Sequence, residues 1–239
     1  SVREELEKVI REVIEEVERV LERIRDELRK SLERLKEVIK RIEDVHRDLI
    51  RRIREIKDLE KVLRLVLDVL KKVSDLTREL LRENLEVLEK IAKLLEDLAR
   101  SLLKVIRRLL EILIREFKDD EELLRRLKEL VDKIRKILRD LLERVKEVVD
   151  RHRKKLEELL KRDEDLLEEV KRRLDDIRRE NVPIEEVLKT VEDISRRHRE
   201  LLKRILDTSK RSIEETLKLA REILETLKRL LKELLDAAK

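Results

Sequence analysis

Glycine, cysteine, methionine, tryptophan and tyrosine are absent from this chain, which holds a single proline and a single phenylalanine. Without cysteine there are no disulfides and no thiolate metal sites. Without glycine there is no Gly-rich loop to cradle a phosphate. With one aromatic side chain there is no platform on which nucleic-acid bases could stack. No apolar run approaches the roughly 18 residues that a membrane span requires. The opening segment SVREELEKVI is charged and has no apolar core, so no secretory signal is expected in it.

What remains is largely Glu, Lys, Arg, Asp, Leu, Val and Ile, with 52% of residues charged and 40% hydrophobic. That is the composition of long helices. The aliphatic content is too high and too regularly spaced for disorder. The net charge of +5 comes from 65 basic and 60 acidic residues. The two signs are finely intermixed, which describes a solvated, ion-paired surface rather than a basic stripe for nucleic acid.

Three breaks interrupt the helical pattern. In IREIKDLEKVL the break falls at Lys57 and Asp58, with Asp58 placed to cap the next helix. In REFKDDEELL it falls at Lys118 to Asp120. There Asp119 or Asp120 is the cap, and Glu121 and Glu122 suit the positive end of the helix dipole. In RRENVPIEEV it falls at Asn181 to Pro183, where proline at a first helical position followed by Glu185 and Glu186 is a start signal. Four helices follow, about 2–56, 59–117, 121–180 and 183–238. Each is roughly 85 Å long at about 1.5 Å per residue. Near-equal lengths and very short loops force antiparallel neighbours. The expected fold is all-α: one domain spanning 1–239, a single-chain up-down-up-down four-helix bundle.

The apolar spacing agrees. On the second helix Ser74, Thr77, Leu81, Asn84, Leu88, Ile91, Leu95, Leu98, Leu102, Val105, Leu109 and Ile112 alternate steps of three and four. A mean step of about 3.5 residues predicts a left-handed supercoil. The first helix keeps the rhythm through Leu6, Ile10, Val13, Val17, Val20 and Ile24. On the third, Leu127, Val131, Ile134, Leu138, Leu141, Val145 and Val148 lead to His152, a polar ring in an aliphatic row.

Uncharged polar residues are scarce: seven Ser, five Thr, two Asn, three His and no Gln. Most fall on or beside the apolar rows. In an antiparallel hairpin, residues at one height have numbers centred on the turn. By that rule Ser31 faces Asn84, Asn84 faces position 154 near His152, His152 faces position 211 beside Ser212, and Ser31 faces Ser209 across the closing pair. A second set meets in the same way: His46, Ser74, Thr77, Asp163, Ser195 and His198. Val45, next to His46, takes the core slot, which puts His46 at the edge as readily as inside, and Asp163 lies in the charge-rich stretch KRDEDLL, which suits a solvated aspartate as readily as a buried one. A third match pairs Ser101 with Thr226. A lone buried hydroxyl or amide costs of order 1–3 kcal/mol unless hydrogen-bonded. A connected set therefore rewards one helix register over its neighbours.

With Ser31, Asn84, His152 and Ser209 or Ser212 at one height, the Gly-free connections IKDLEK and FKDDEE, and a surface almost without uncharged residues, the whole chain resembles a de novo designed, parametrically built helical bundle with buried hydrogen-bond networks. The resemblance implies a scaffold, a single-chain form of a hairpin heterodimer, or a switchable cage. The chain departs from cages in lacking a long flexible linker or a distinct terminal helix.

Catalytic and metal chemistry have thin support. Ser195 or Ser74, His46 or His198, and Asp163 can be drawn as a Ser-His-Asp set, but a nucleophile also needs an oxyanion hole and a substrate cavity. The same His and Asp residues suit a divalent ion. The Glu-x-x-His units of di-iron bundles are absent, since the residues three before each His are Glu43, Val149 and Ser195. The expectation is a non-enzymatic structural module that needs no cofactor, metal, nucleic acid, membrane or partner. The alternative is a pH-responsive or helix-exchanging module that captures a helix or self-associates.

Overall fold

A computed structural model of the protein describes residues 1–238. It contains four long helices: α1 (Val2–Glu55), α2 (Leu59–Glu116), α3 (Glu121–Glu180) and α4 (Ile184–Ala237). They pack against one another as a four-helix bundle, with no strand among the described residues. Every helix end lies within one residue of the position expected from the break signals.

The breaks work through identifiable bonds. Asp58 accepts the Glu60 amide on Oδ1 at 3.2 Å, and its carbonyl accepts the Val62 amide. Asp120, rather than Asp119, caps α3, accepting the Leu123 amide on Oδ1 at 3.1 Å. The Pro183 carbonyl accepts the Glu186 and Val187 amides, so proline stands at the cap of α4 and Ile184 is its first helical residue. Asn181 has φ of 50°. The Val182 amide then reaches back to the Ile177 carbonyl at 3.4 Å. This is a Schellman closure with asparagine in the left-handed position that glycine usually takes.

The cross-helix contacts group the chain into two compact units, each holding a stretch of all four helices. The first unit comprises residues 1–28, 88–151 and 212–239; the second comprises 29–87 and 152–211. Within the first, α1 and α2 meet through Glu27–Lys90 and Glu16–Ser101, so numbers rise on one helix as they fall on the other. Arg144–Glu222 and Arg151–Glu215 link α3 to α4 in the same sense, Lys146–Glu96 links α2 to α3, and Lys228–Glu18 closes α4 onto α1. Within the second, Ser31–Asn84, Arg178–Glu60, Arg173–Asp193 and Arg54–Glu192 join the same four neighbouring pairs. Each unit is thus an antiparallel four-helix arrangement.

Aliphatic residues fill both interiors. Leu6, Leu102, Leu109, Leu127 and Leu230 are buried in the first unit. Leu49, Val62, Val66, Val170, Val187 and Val191 belong to one cluster in the second. Burying each such side chain contributes about 1.5–3 kcal/mol before conformational entropy is set against it. Three row positions differ from expectation. Val105 is half-buried and Ile106 takes the interior position. Val20 is also half-buried. On α1, His46 is buried and Val45 is not, because Ile42, His46, Leu49 and Ile53 share one inward face at four-three-four spacing.

Asn181→Val is expected to lower stability by about 1–2 kcal/mol, since a β-branched residue is disfavoured at positive φ, while Asn181→Gly keeps or raises it. Urea denaturation of the two variants checks this.

Candidate functional site

Four polar side chains on three helices open the cluster in the second unit. On α1, His46 projects from the inward face. On α4, Ser195 and His198 lie three residues apart and so on one face. Thr77 comes from α2. Ser195 Oγ lies 3.0 Å from His46 Nδ1, His46 Nε2 lies 3.1 Å from His198 Nδ1, and His198 Nε2 lies 3.2 Å from Thr77 Oγ1. The two rings are 5.2 Å apart, tilted at 57°. From α3, Asp163 brings Oδ1 to 3.3 Å from His198 Nε2 and accepts the Ser74 hydroxyl on Oδ2 at 2.8 Å. All six residues of the second expected set are buried, and all six are linked.

Donors and acceptors have one self-consistent assignment with both rings neutral. The Thr77 hydroxyl donates to the Val73 carbonyl at 2.9 Å, so its oxygen is free to accept from His198. His198 therefore carries its proton on Nε2 and donates it to Thr77, with Asp163 Oδ1 beside it at 3.3 Å. Its Nδ1 is then an acceptor, filled by the Nε2–H of His46. His46 Nδ1 in turn accepts the Ser195 hydroxyl. Burial, then the neighbouring His198 and Arg199, lowers the His46 pKa to about 3. Arg78 adds a fringe contact that sequence reasoning missed: its Nη2 donates to Ser74 Oγ at 3.3 Å. Its period on α2 marks it as a flank position, and nothing in the sequence distinguishes it from other flanking arginines.

The other expected layer closes only in part. The Ser31 hydroxyl donates to Asn84 Oδ1 at 2.7 Å. Asn84 Nδ2 and the hydroxyls of Ser209 and Ser212 are buried without a hydrogen-bond partner. His152 is buried in the core row, but none of the hydrogen bonds of the described residues joins it to Ser31, Asn84, Ser209 or Ser212. Burial, with Lys155, lowers its pKa to about 4. The physical reason is reach. Helix axes stand about 8–10 Å apart, and serine hydroxyls span that gap only when a longer side chain meets them. Asn84 also faces position 154, roughly 3 Å along the axis from His152 at about 1.5 Å per residue. Ser212 falls in the first unit, where the buried Thr216 joins it on α4. Thr216 was legible: Ile205, Ser209, Ser212, Thr216 and Leu219 step by four, three, four and three. The expected Ser101–Thr226 pair does not form. Ser101 donates instead to Glu16 Oε1 at 2.8 Å, because a long glutamate on the adjacent helix reaches it first.

The arrangement bears on chemistry. Ser195 is fully buried and its proton is committed to His46. A cavity of about 20 Å³ borders Ser74, Asp163 and His198, with Val73 and Leu167 on its walls. That is room for about one water and for no substrate. The His46 nitrogen nearest His198 is used in the ring–ring bond, and no group of three or more His, Asp or Glu among the described residues is placed to hold a metal. No described helix is long and apolar enough to cross a membrane.

Fold and cluster together define an all-helical bundle with a buried imidazole–carboxylate network. No protein-family model matches the chain, and no curated protein does. Among solved structures, a chain described as "Computationally designed three helix bundle" is similar over 98% of this chain and 91% of that one. Identity is 18% and the TM-score is 0.39, a level at which the likeness carries no argument.

Three outcomes are expected. At pH 7.5, long-range ¹H–¹⁵N spectra should show both His46 and His198 protonated on Nε2; an Nδ1–H form of either breaks the assignment. Asp163→Leu strands the Ser74 hydroxyl, leaves Thr77 as the acceptor of the His198 N–H, and should cost about 1–3 kcal/mol in urea denaturation. His152 stays neutral when folded, so its contribution is intact above its unfolded pKa near 6.5 and falls as pH drops toward about 4. Wild type should therefore lose roughly 2 kcal/mol more than His152→Leu between pH 7.5 and 5.0, and His152→Leu should be the more stable of the two at both.

Proposed function

We propose that this protein is a designed structural scaffold without enzymatic activity, whose buried polar clusters select one helix register and order. The observation that carries the reading is the six-residue cluster of the second unit. It links all four helices through groups that are costly to bury unmet. Aliphatic rows tolerate a slide of one turn, since leucine can replace leucine. The cluster does not, because a turn of about 5.4 Å exceeds every hydrogen bond in it. The near-absence of uncharged surface residues, the Gly-free turns and the near-equal helix lengths support a designed origin. On this reading the chain works as a monomer and requires no cofactor, metal, nucleic acid, membrane or partner.

Light scattering on a size-exclusion column should give the single-chain mass of 29.1 kDa. A variant with His46, Ser74, Thr77, Asp163, Ser195 and His198 replaced by aliphatic residues should stay helical to high temperature. Its amide spectra should show several conformers, or its mass should rise. One sharp set of resonances from a monomeric variant would mean that the cluster specifies nothing.

A further inference from the structure

The titratable side chains buried among the described residues are His46, His152, Asp163 and His198, and all four belong to residues 29–87 and 152–211. The buried polar residues of the other unit are Ser212 and Thr216, which do not titrate. The two units are built on the same helices and the same aliphatic packing, yet among the described residues only one buries side chains that titrate.

The His46–His198 contact has a fixed proton capacity. At 3.1 Å the two facing nitrogens form a hydrogen bond only if one carries hydrogen and the other a lone pair. A first proton can be taken up by the pair if His46 moves its hydrogen from Nε2 to Nδ1, where the Ser195 hydroxyl, 3.0 Å away, rotates from donor to acceptor. His198 then carries hydrogen on both nitrogens, with Asp163 Oδ1 3.3 Å from its Nε2, and donates from Nδ1 to His46 Nε2. A second proton must go on His46 Nε2, where it meets the His198 N–H head-on. The surroundings offer no relief. From α2 the cluster is faced by Thr77 and Ser74, with the Arg78 guanidinium on Ser74. From α3 it is faced by Asp163, and from α4 by Ser195 with Arg199 nearby. Asp163 is the single acidic group, against two rings and two guanidinium groups. The closed cluster thus holds one added proton, whereas the opened segments expose both rings to water and hold two.

We propose that the His46–His198 pair makes the unit of residues 29–87 and 152–211 open in mild acid while the unit of residues 1–28, 88–151 and 212–239 keeps its fold. Each proton taken up only on opening raises the opening equilibrium about 30-fold between the unfolded histidine pKa near 6.5 and pH 5.0. Helices 54–60 residues long then fray over one stretch and persist over another.

Residue-resolved amide hydrogen exchange at pH 7.5 and pH 5.0, corrected for intrinsic rates, tests this on the full chain. Protection should fall by about 30-fold or more in 29–87 and 152–211 and by less than about 3-fold elsewhere. An equal fall in both units overturns the proposal, because acid then acts on the bundle as a whole. No fall in either unit also overturns it. His46→Gln/His198→Gln keeps donors and acceptors without titrating and should remove about 30-fold of the fall, leaving the part due to His152. A fall as large as wild type overturns the assignment to the pair. Should that variant not fold at pH 7.5, the wild-type rings decide: His46 and His198 both titrating near 6.5 with 29–87 still protected is the contrary result. None of these outcomes bears on whether the cluster specifies register, which the aliphatic variant tests separately.

Discussion

The polar cluster of the second unit is centred on one contact between two nitrogen atoms. His46 Nε2 and His198 Nδ1 join α1 to α4, and the remaining hydrogen bonds of the cluster extend from the free side of each ring. Ser195 satisfies the outer nitrogen of His46; Thr77 of α2 satisfies that of His198, and Asp163 of α3 lies 3.3 Å from it. Aliphatic packing is non-directional and scales with area, so many registers are nearly equal in it. A buried imidazole is directional and must find a partner at about 3 Å. The constraint lies in that difference.

The layer of Ser31, Asn84, His152 and Ser209 shows what happens when side-chain length is not matched to helix spacing. It lines up by height, yet only the Ser31–Asn84 bond forms, and the Asn84 amide and the Ser209 hydroxyl stay buried and unmet. The better-connected cluster places two long rings between shorter groups: Ser195, His46, His198, Asp163, Ser74. Each imidazole bridges a gap that two hydroxyls cannot. Half-satisfied polar groups in a low-dielectric interior weaken packing, whereas satisfied ones make it specific. The same bundle therefore carries one polar set that is connected across four helices and one that is connected only between two.

The surface follows a different logic. Cross-helix pairs such as Arg197–Glu169 and Arg173–Asp193 hold α3 against α4, and hydrogen bonds from the arginines keep the pKa values of Glu169 and Asp193 low. These groups are largely solvated, and exposed pairs of this kind each contribute little. They keep the outward faces predominantly charged, with Ile114 the exposed large hydrophobic among the described residues.

Fold class, helix number and helix ends were legible because they rest on local chemistry. Asp58, Asp120 and Pro183 act through bonds to residues two to four positions away, and the apolar rows repeat within each helix. Height along the bundle was legible too, since short turns set it, and this brought His46, Ser74, Thr77, Asp163, Ser195 and His198 together on paper. What the sequence could not supply was rotation and reach. One residue of α1 had to face inward, and His46 rather than Val45 does so, on the face it shares with Ile42, Leu49 and Ile53. Ser101 chose Glu16 over Thr226, and Arg78 joined Ser74, because a long charged side chain reached the hydroxyl. Periodicity is a property of one helix and can be read from one; a hydrogen bond between helices depends on two rotations, a spacing and a side-chain length at once, and only the assembled structure sets all four.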